Sequence, residues 1–223
     1  KYRRMASETF HERQRWQFCG IHACNNLLQQ AAFTKADFDS IAKTLAPDSF
    51  INPHKSFLGT GNYDVNVLTI AMQQKGHEVR WFDRRKDPSC INLDQILGFI
   101  INTKSSWVVF STRHWVALRK LDGKWLNFDS KKKTPEEFKE GEKGLLDYLR
   151  QILTGDAQVF IVAEKAKAEL IYQKKTEIIE SSEKKNEDID STCMAVDEEA
   201  SKSRANETQS MQDITDMMSK LSN

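Results

Sequence analysis

The chain has 223 residues, and its 33 Lys and Arg residues nearly balance its 32 Asp and Glu residues, for a formal net charge of +1. This length is sufficient for one domain with a hydrophobic core. The balanced charge argues against nucleic-acid binding by the whole chain, and no apolar run approaches the roughly 20 residues that span a bilayer.

The basic start of the sequence, residues 1–4, is not followed by the apolar stretch of a signal peptide. In a chain without such a signal, the four cysteines at positions 19, 24, 90 and 193 are expected to be reduced thiols rather than a disulfide framework. We therefore expect a cytoplasmic protein.

Composition divides the chain at about residue 163. Residues 164–223 hold nine basic and fourteen acidic residues, a net charge of −5, which leaves +6 for the residues before them. All Gly, Pro, Trp and Phe residues precede residue 164, so the later segment cannot bury enough apolar surface to offset its ordering entropy. The sequence predicts an N-terminal flank over 1–8, a folded domain over 9–163, and an acidic tail over 164–223 that is disordered or partly helical.

Hydrophobic periodicity predicts the elements of the folded domain in chain order. Helices are predicted over 19–30, over a segment capped by Thr34 and Asp37, and over 65–75, 93–101 and 145–153, with a loop over 52–62. Strands are predicted over 78–83, 107–111, 114–121, 124–130 and 158–163, and a charged helix over 165–179. Helices that precede most of the strands predict an α+β fold.

Cys19 is the strongest candidate for a nucleophile because it opens a predicted helix. Unpaired backbone N–H groups and the helix dipole at that end stabilise a negatively charged sulfur. Cys24 lies one turn further into the helix and Cys90 follows Pro88-Ser89 in a loop, so both are expected to be structural or incidental thiols.

His114 is the candidate base, and it precedes a predicted hairpin with a turn at Asp122-Gly123. If that turn has two residues and is of type I′, Leu121 faces Lys124, which fixes the register of the two strands.

This register selects the residue that orients the base. Asp129 becomes a diagonal neighbour of His114, with Cβ atoms roughly 7–8 Å or less apart, a gap that the two side chains can bridge. Asn127 lies on the same face but one pair further on. Asp129 is therefore favoured as the orienting group, and Asn127 is the alternative.

The same residues allow other interpretations. His22 lies three residues after Cys19 on one helix and is a rival base, although a supporting or substrate-binding role is favoured. The Cys-x-x-His spacing suggests zinc, but no second ligand pair with matching spacing exists in the sequence, so no metal site is predicted. The run Gly59-Thr-Gly61-Asn62 lacks the Lys-Ser/Thr of a phosphate-binding loop and is expected to be a turn.

Several sequence blocks together resemble the Josephin-domain deubiquitinases. These are the run from His11 through Gln14, Cys19, His22, Asn25 and Asn26 to Gln30, the pair His114-Trp115, and the run Trp125-Leu-Asn127-Phe-Asp129-Ser130-Lys131. Two further blocks, residues 58–67 and 81–85, resemble the short members of that family. The resemblance covers about residues 9–163.

The resemblance implies a papain-like fold, in which a helical subdomain with the nucleophile helix packs on a mainly antiparallel sheet. It also implies hydrolysis at the C-terminal Gly of ubiquitin by a thiol, with ubiquitin and ubiquitinated proteins as partners and no cofactor. By position, it assigns four catalytic residues: Cys19 as nucleophile, His114 as general base and acid, Asp129 as third member and Gln14 as oxyanion donor.

Three more residues, Trp115, Asn127 and His22, are expected to contact the substrate. A ubiquitin-binding adaptor with weak or no turnover is the alternative function from another class.

Overall fold

The computed structural model describes residues 9–14, 16–56, 61–105 and 112–172. The strand predicted over 107–111 lies outside these residues, as does the tail beyond residue 172. The described residues form helices α1 (Cys19–Leu28), α2 (Lys35–Leu45), α3 (Val65–Gln74) and α4 (Gly141–Thr154). They also form strands β1 (His77–Trp81), β2 (Gly98–Ser105), β3 (Thr112–Leu121), β4 (Lys124–Phe128), β5 (Glu136–Glu137) and β6 (Gln158–Glu164).

Two of the helices begin at capping side chains. The Thr34 hydroxyl accepts a hydrogen bond from the N–H of Asp37, whose carboxylate accepts one from the N–H of Thr34, and α2 follows directly. The Asp64 carboxylate accepts from the N–H groups of Asn66 and Val67 at the start of α3. Such caps satisfy backbone donors that the first helical turn leaves unpaired.

The strands in the described part of the chain form one antiparallel sheet in the order β1-β6-β2-β3-β4-β5. Strand β6, the last of the described strands, lies between β1 and β2. Helix α1 packs mainly against β3 and β2, and α2 packs against α3. The predicted α+β fold, with the nucleophile helix on a mainly antiparallel sheet, is confirmed.

The predicted register of the β3–β4 hairpin is also confirmed. Leu121 pairs with Lys124 across a turn in which Asp122 and Gly123 have φ values of 48° and 80°. Positive φ at both central residues is the signature of a type I′ turn. The ladder ends at Phe128, so the residues that follow leave the sheet as a loop.

The helix predicted over 93–101 is wrong. Residues 93–95 form a turn, residues 96 and 97 have no regular structure, and strand β2 begins at Gly98. A Cβ added at Gly98 would lie 2.1 Å from the carbonyl oxygen of Leu118 on β3. Phe99, Ile100 and Ile101 are all at most 1% exposed. An apolar run that is covered on both faces has no alternation, so its sequence alone does not distinguish a central strand from a buried helix.

Packed structure continues beyond residue 163. A 3₁₀ turn at Lys165–Leu170 follows β6 where a longer charged helix was expected to start, and Ala168 and Ile171 are buried. The N–H of Asn92 donates to the carbonyl oxygen of Ile171 at 2.7 Å, which attaches this turn to the rest of the fold. The predicted domain limits and the disordered tail stay predictions.

Candidate active site

Cys19 is the first residue of α1, and only 4% of it is exposed. The N-cap residue Phe18 has no side-chain acceptor, and the first helical turn contains no acidic residue. Cys19 therefore lies at a helix N-terminus where no capping side chain satisfies the unpaired backbone N–H groups. This is the setting that stabilises a thiolate.

His114 lies on β3, is 5% exposed, and connects Cys19 to Asp129. Its Nε2 atom lies 2.7 Å from Oδ1 of Asp129, and the ring is close enough to the Cys19 thiol for the two groups to interact. Burial by itself would lower the pKa of His114, but the interactions with Asp129 and Cys19 outweigh it, and the pKa is raised above 6.5. The site therefore favours a protonated imidazole next to the sulfur.

Asp129 directly follows β4 and completes this chain of contacts. Burial would raise the pKa of its carboxyl group, but hydrogen bonds from His114 and from the N–H of Lys131, at 2.9 Å, hold that pKa below its ordinary value. The carboxylate stays ionised and stabilises the positive charge on the imidazole.

The other described thiols have different surroundings. Cys24 is fully buried, and this burial strongly raises the pKa of its thiol, which keeps it protonated. Cys90 lies in the short 3₁₀ turn Pro88–Cys90 and is partly exposed. Cys193 lies outside the described residues. Cys19 thus combines an interaction with an imidazole and a position at the N-terminus of a helix.

Gln14 lines the same cavity as Cys19. Its backbone N–H donates to the carbonyl oxygen of Ser130 at 2.7 Å, and its side-chain Nε2 donates to the carbonyl oxygen of Trp16 at 2.9 Å. An amide nitrogen carries two N–H groups, so one remains for a ligand in the cavity. This geometry is compatible with the predicted role as oxyanion donor.

A cavity of about 530 Å³ opens over these residues, and Gln14, Cys19, His114 and Trp115 all line it. Trp115 is only 4% exposed, and its Nε1 donates to the carbonyl oxygen of Tyr63 at 3.0 Å. The indole is therefore a fixed wall of the cavity rather than a mobile side chain.

The turn that ends at Gly61 supports the chain just before the nucleophile. Gly61 and Gln17 form a β-bridge, and the N–H of Asn62 donates to the carbonyl oxygen of Gln17 at 2.9 Å. Gly61 has a φ of 109°, and a Cβ there would lie 2.4 Å from the same oxygen, so only glycine fits. The end of the region predicted as a turn thus contacts Gln17, two residues before Cys19. Residues 57–60 lie outside the described structure.

Of the described residues, neither His22 nor Asn127 lines the cavity. His22 Nδ1 lies 2.6 Å from a carboxylate oxygen of Glu12, and Asn127 pairs with Leu118 within the hairpin. The Asn127 Oδ1 atom is buried without a hydrogen-bond partner among the described residues. Contact of these two residues with a substrate stays a prediction.

Asn102 and Asp64 are among the lining residues that were not identified from the sequence as part of a site. Asn102, on β2, is 3% exposed and accepts a hydrogen bond from Arg113 at 3.0 Å. Its position directly after the apolar run 99–101 is a feature from which a polar residue at a strand could have been predicted. The incorrect prediction of a helix over 93–101 prevented that prediction. Asp64 is identified from the sequence only as a helix cap, although its carboxylate also lines the cavity and lies 2.7 Å from His54 Nδ1.

The described part of the chain offers no group of three or more His, Cys, Asp or Glu side chains arranged to hold a metal ion. Among its helices, none combines the length and apolar character needed to cross a membrane.

Comparison with known proteins gives consistent matches. The sequence model of the family described as Josephin matches residues 14–163. The chain is 45% identical over 163 residues to human Josephin-2, covering 70% of this chain and 86% of that protein. It is 43% identical over 163 residues to a Josephin-like protein of Drosophila melanogaster, covering 70% of this chain and 73% of that protein. Similarity to human ataxin-3 is lower, 26% over 172 residues, covering 69% of this chain and 45% of that protein.

Proposed function

The chain belongs to the Josephin family, and from this premise we propose that it is a thiol-dependent deubiquitinase that hydrolyses the isopeptide or peptide bond at the C-terminal Gly of ubiquitin. Membership of this family supports a deubiquitinase-type function linked to ubiquitin processing. Its partners would be ubiquitin and ubiquitinated proteins.

The first half of the proposed reaction forms a thioester. The Cys19 thiolate attacks the carbonyl carbon of the terminal Gly, and the resulting oxyanion accepts hydrogen bonds from the Gln14 amide and the N–H of Cys19. Nε2 of His114 is held by Asp129, so Nδ1 is the ring nitrogen that gives its proton to the leaving amine as the carbon–nitrogen bond breaks.

The second half of the reaction releases ubiquitin. The imidazole of His114, now neutral, takes a proton from water as the water oxygen attacks the thioester carbonyl. The carbon–sulfur bond then breaks, which frees the carboxylic acid of ubiquitin and restores the thiolate–imidazolium pair. The acid gives its proton to solvent and leaves as a carboxylate. Asp129 stabilises the imidazolium in both halves without exchanging a proton.

One observation carries this proposal: the His114 imidazole interacts both with Cys19, at the N-terminus of α1, and with the Asp129 carboxylate, and Cys19 and His114 line one cavity. The separate groups are common in proteins, but their contact in this order is what nucleophilic catalysis by a thiol requires.

Labelling with ubiquitin that carries an electrophile at its C-terminus tests the proposal. We expect a covalent adduct with the wild type, loss of the adduct in Cys19→Ala, and its retention in Cys24→Ala, the matched control on the same helix. Binding of ubiquitin without any adduct in the wild type would refute the enzyme and favour the ubiquitin-binding adaptor.

A further inference from the structure

The N-terminal segment, defined as residues 10–14, runs between α1 and the loop that begins with the third member of the proposed triad. On the loop side, the N–H of Gln14 donates to the carbonyl oxygen of Ser130 at 2.7 Å. His11 Nε2 lies 3.1 Å from the carbonyl oxygen of Lys132. The segment is therefore attached to the loop at two points.

On its other side, the segment is attached to amide side chains at the C-terminal end of α1. The N–H and carbonyl groups of Phe10 bond to the side chain of Gln29 at 3.1 and 3.2 Å. The N–H and carbonyl groups of Glu12 bond to the side chain of Asn26 at 2.6 and 3.3 Å. These pairs take the place of a neighbouring strand and satisfy the backbone of the segment.

Glu12 also binds α1 through its carboxylate. One carboxylate oxygen lies 2.6 Å from Nδ1 of His22, and Nδ2 of Asn25 lies 3.1 and 3.2 Å from the two oxygens. Asn25 is 1% exposed and is itself held by two 2.9 Å hydrogen bonds with the backbone of Phe33. A single carboxylate thus joins the segment to two positions of the nucleophile helix.

We infer that Glu12 is a positioning residue that acts through Gln14, two residues later in the chain. This inference rests on the proposed function, in which Gln14 donates to the oxyanion. Gln14 lines the cavity and Glu12 does not, so Glu12 cannot act by direct contact with a substrate there. Its carboxylate instead fixes the distance from the Gln14 amide to the Cys19 sulfur.

The expected kinetic effect follows from the geometry that an oxyanion donor requires. Such a donor must lie about 2.7–3.1 Å from the oxyanion, and deleting one costs about 10²–10³-fold in kcat. Displacing the donor should lower kcat by less than deleting it does, so we expect Glu12→Ala to lower kcat by about 10- to 100-fold. KM should change little, because the oxyanion forms only during the reaction.

A double-mutant cycle with Gln14 tests this inference, using ubiquitin with a fluorogenic C-terminal amide as substrate. In the Gln14→Ala background, Glu12→Ala should lower kcat by no more than about twofold, because the group that it positions is already absent. Glu12→Gln keeps the length of the side chain and one of its two acceptor oxygens, so it should retain a higher kcat than Glu12→Ala. Glu137→Ala, which removes an exposed surface ion pair with Lys124, is the matched control and should keep wild-type kcat.

A second set of outcomes separates this role from a purely structural one. Glu12→Asp keeps the charge but shortens the side chain by one methylene, so we expect a lower kcat with a melting temperature close to that of Glu12→Gln. Equal losses of kcat from Glu12→Ala with and without Gln14 would overturn the inference. A rise in KM without a change in kcat would also overturn the inference. Absence of any adduct between wild type and the ubiquitin electrophile would instead refute the proposed function.

Discussion

Replacement of Asp129 by Ala tests the assignment of the third member most directly. The change removes the 2.7 Å hydrogen bond to Nε2 of His114, in which the acceptor is ionised and the ring is 5% exposed. Hydrogen bonds to charged groups contribute about 1.5–3 kcal/mol, which corresponds to a loss of about 10- to 150-fold in kcat/KM.

Two matched variants isolate the reason for that loss. Asp129→Asn retains Oδ1, the atom that accepts from both His114 and the N–H of Lys131. It removes the charge and replaces the other oxygen by an amide nitrogen, so it should lose less activity than Asp129→Ala. Asn127→Ala removes an amide whose oxygen has no hydrogen-bond partner among the described residues, so it should lower kcat/KM far less than Asp129→Ala does.

The assay is hydrolysis of ubiquitin with a fluorogenic C-terminal amide, and thermal unfolding of each variant confirms that it is folded. A greater loss from Asn127→Ala than from Asp129→Ala would show that the third member is misassigned. Full activity of a folded Asp129→Ala would show that the carboxylate does not support His114 during the reaction.

Two further outcomes follow from the same geometry. The pKa of His114 is raised in the folded chain, so the stabilisation from its protonated form is fully present below the unfolded value near 6.5 and is lost as pH rises through the folded value. The destabilisation caused by Asp129→Ala in urea unfolding should therefore be larger at about pH 6 than at about pH 9, and equal values would contradict the raised pKa. Gly61→Ala should lower the free energy of unfolding by about 1–3 kcal/mol and slow the labelling of Cys19, because its Cβ would displace the backbone at Gln17. Gly76→Ala, also at positive φ but with open space around its Cβ, should leave labelling unchanged, and slower labelling there would show that the Gly61 effect is not local.

The parts of the site that local rules determine could be predicted from the sequence. An Asp-Gly turn fixes one hairpin register, and that register brings Asp129 to His114 without knowledge of the rest of the fold. The capping residues Thr34 and Asp64 likewise mark helix starts that the structure has.

The parts that depend on distant contacts could not be predicted. Residues 99–101 are buried on both faces by elements far away in the chain, so their pattern does not reveal a strand. The contacts of Glu12 with His22 and Asn25 join a segment without regular structure to a helix, and no periodicity describes such a pairing.

The position of β6 in the middle of the sheet determines when the cavity is completed. This strand is the last of the six along the chain, yet it separates β1 from β2, and its first residue, Gln158, lines the cavity. Pairings between segments so distant in sequence form slowly, because the chain must lose the conformational entropy of closing a long loop before the stabilising contacts form. During refolding from denaturant, helical structure should therefore return before the Cys19 thiol regains its reactivity towards a ubiquitin electrophile.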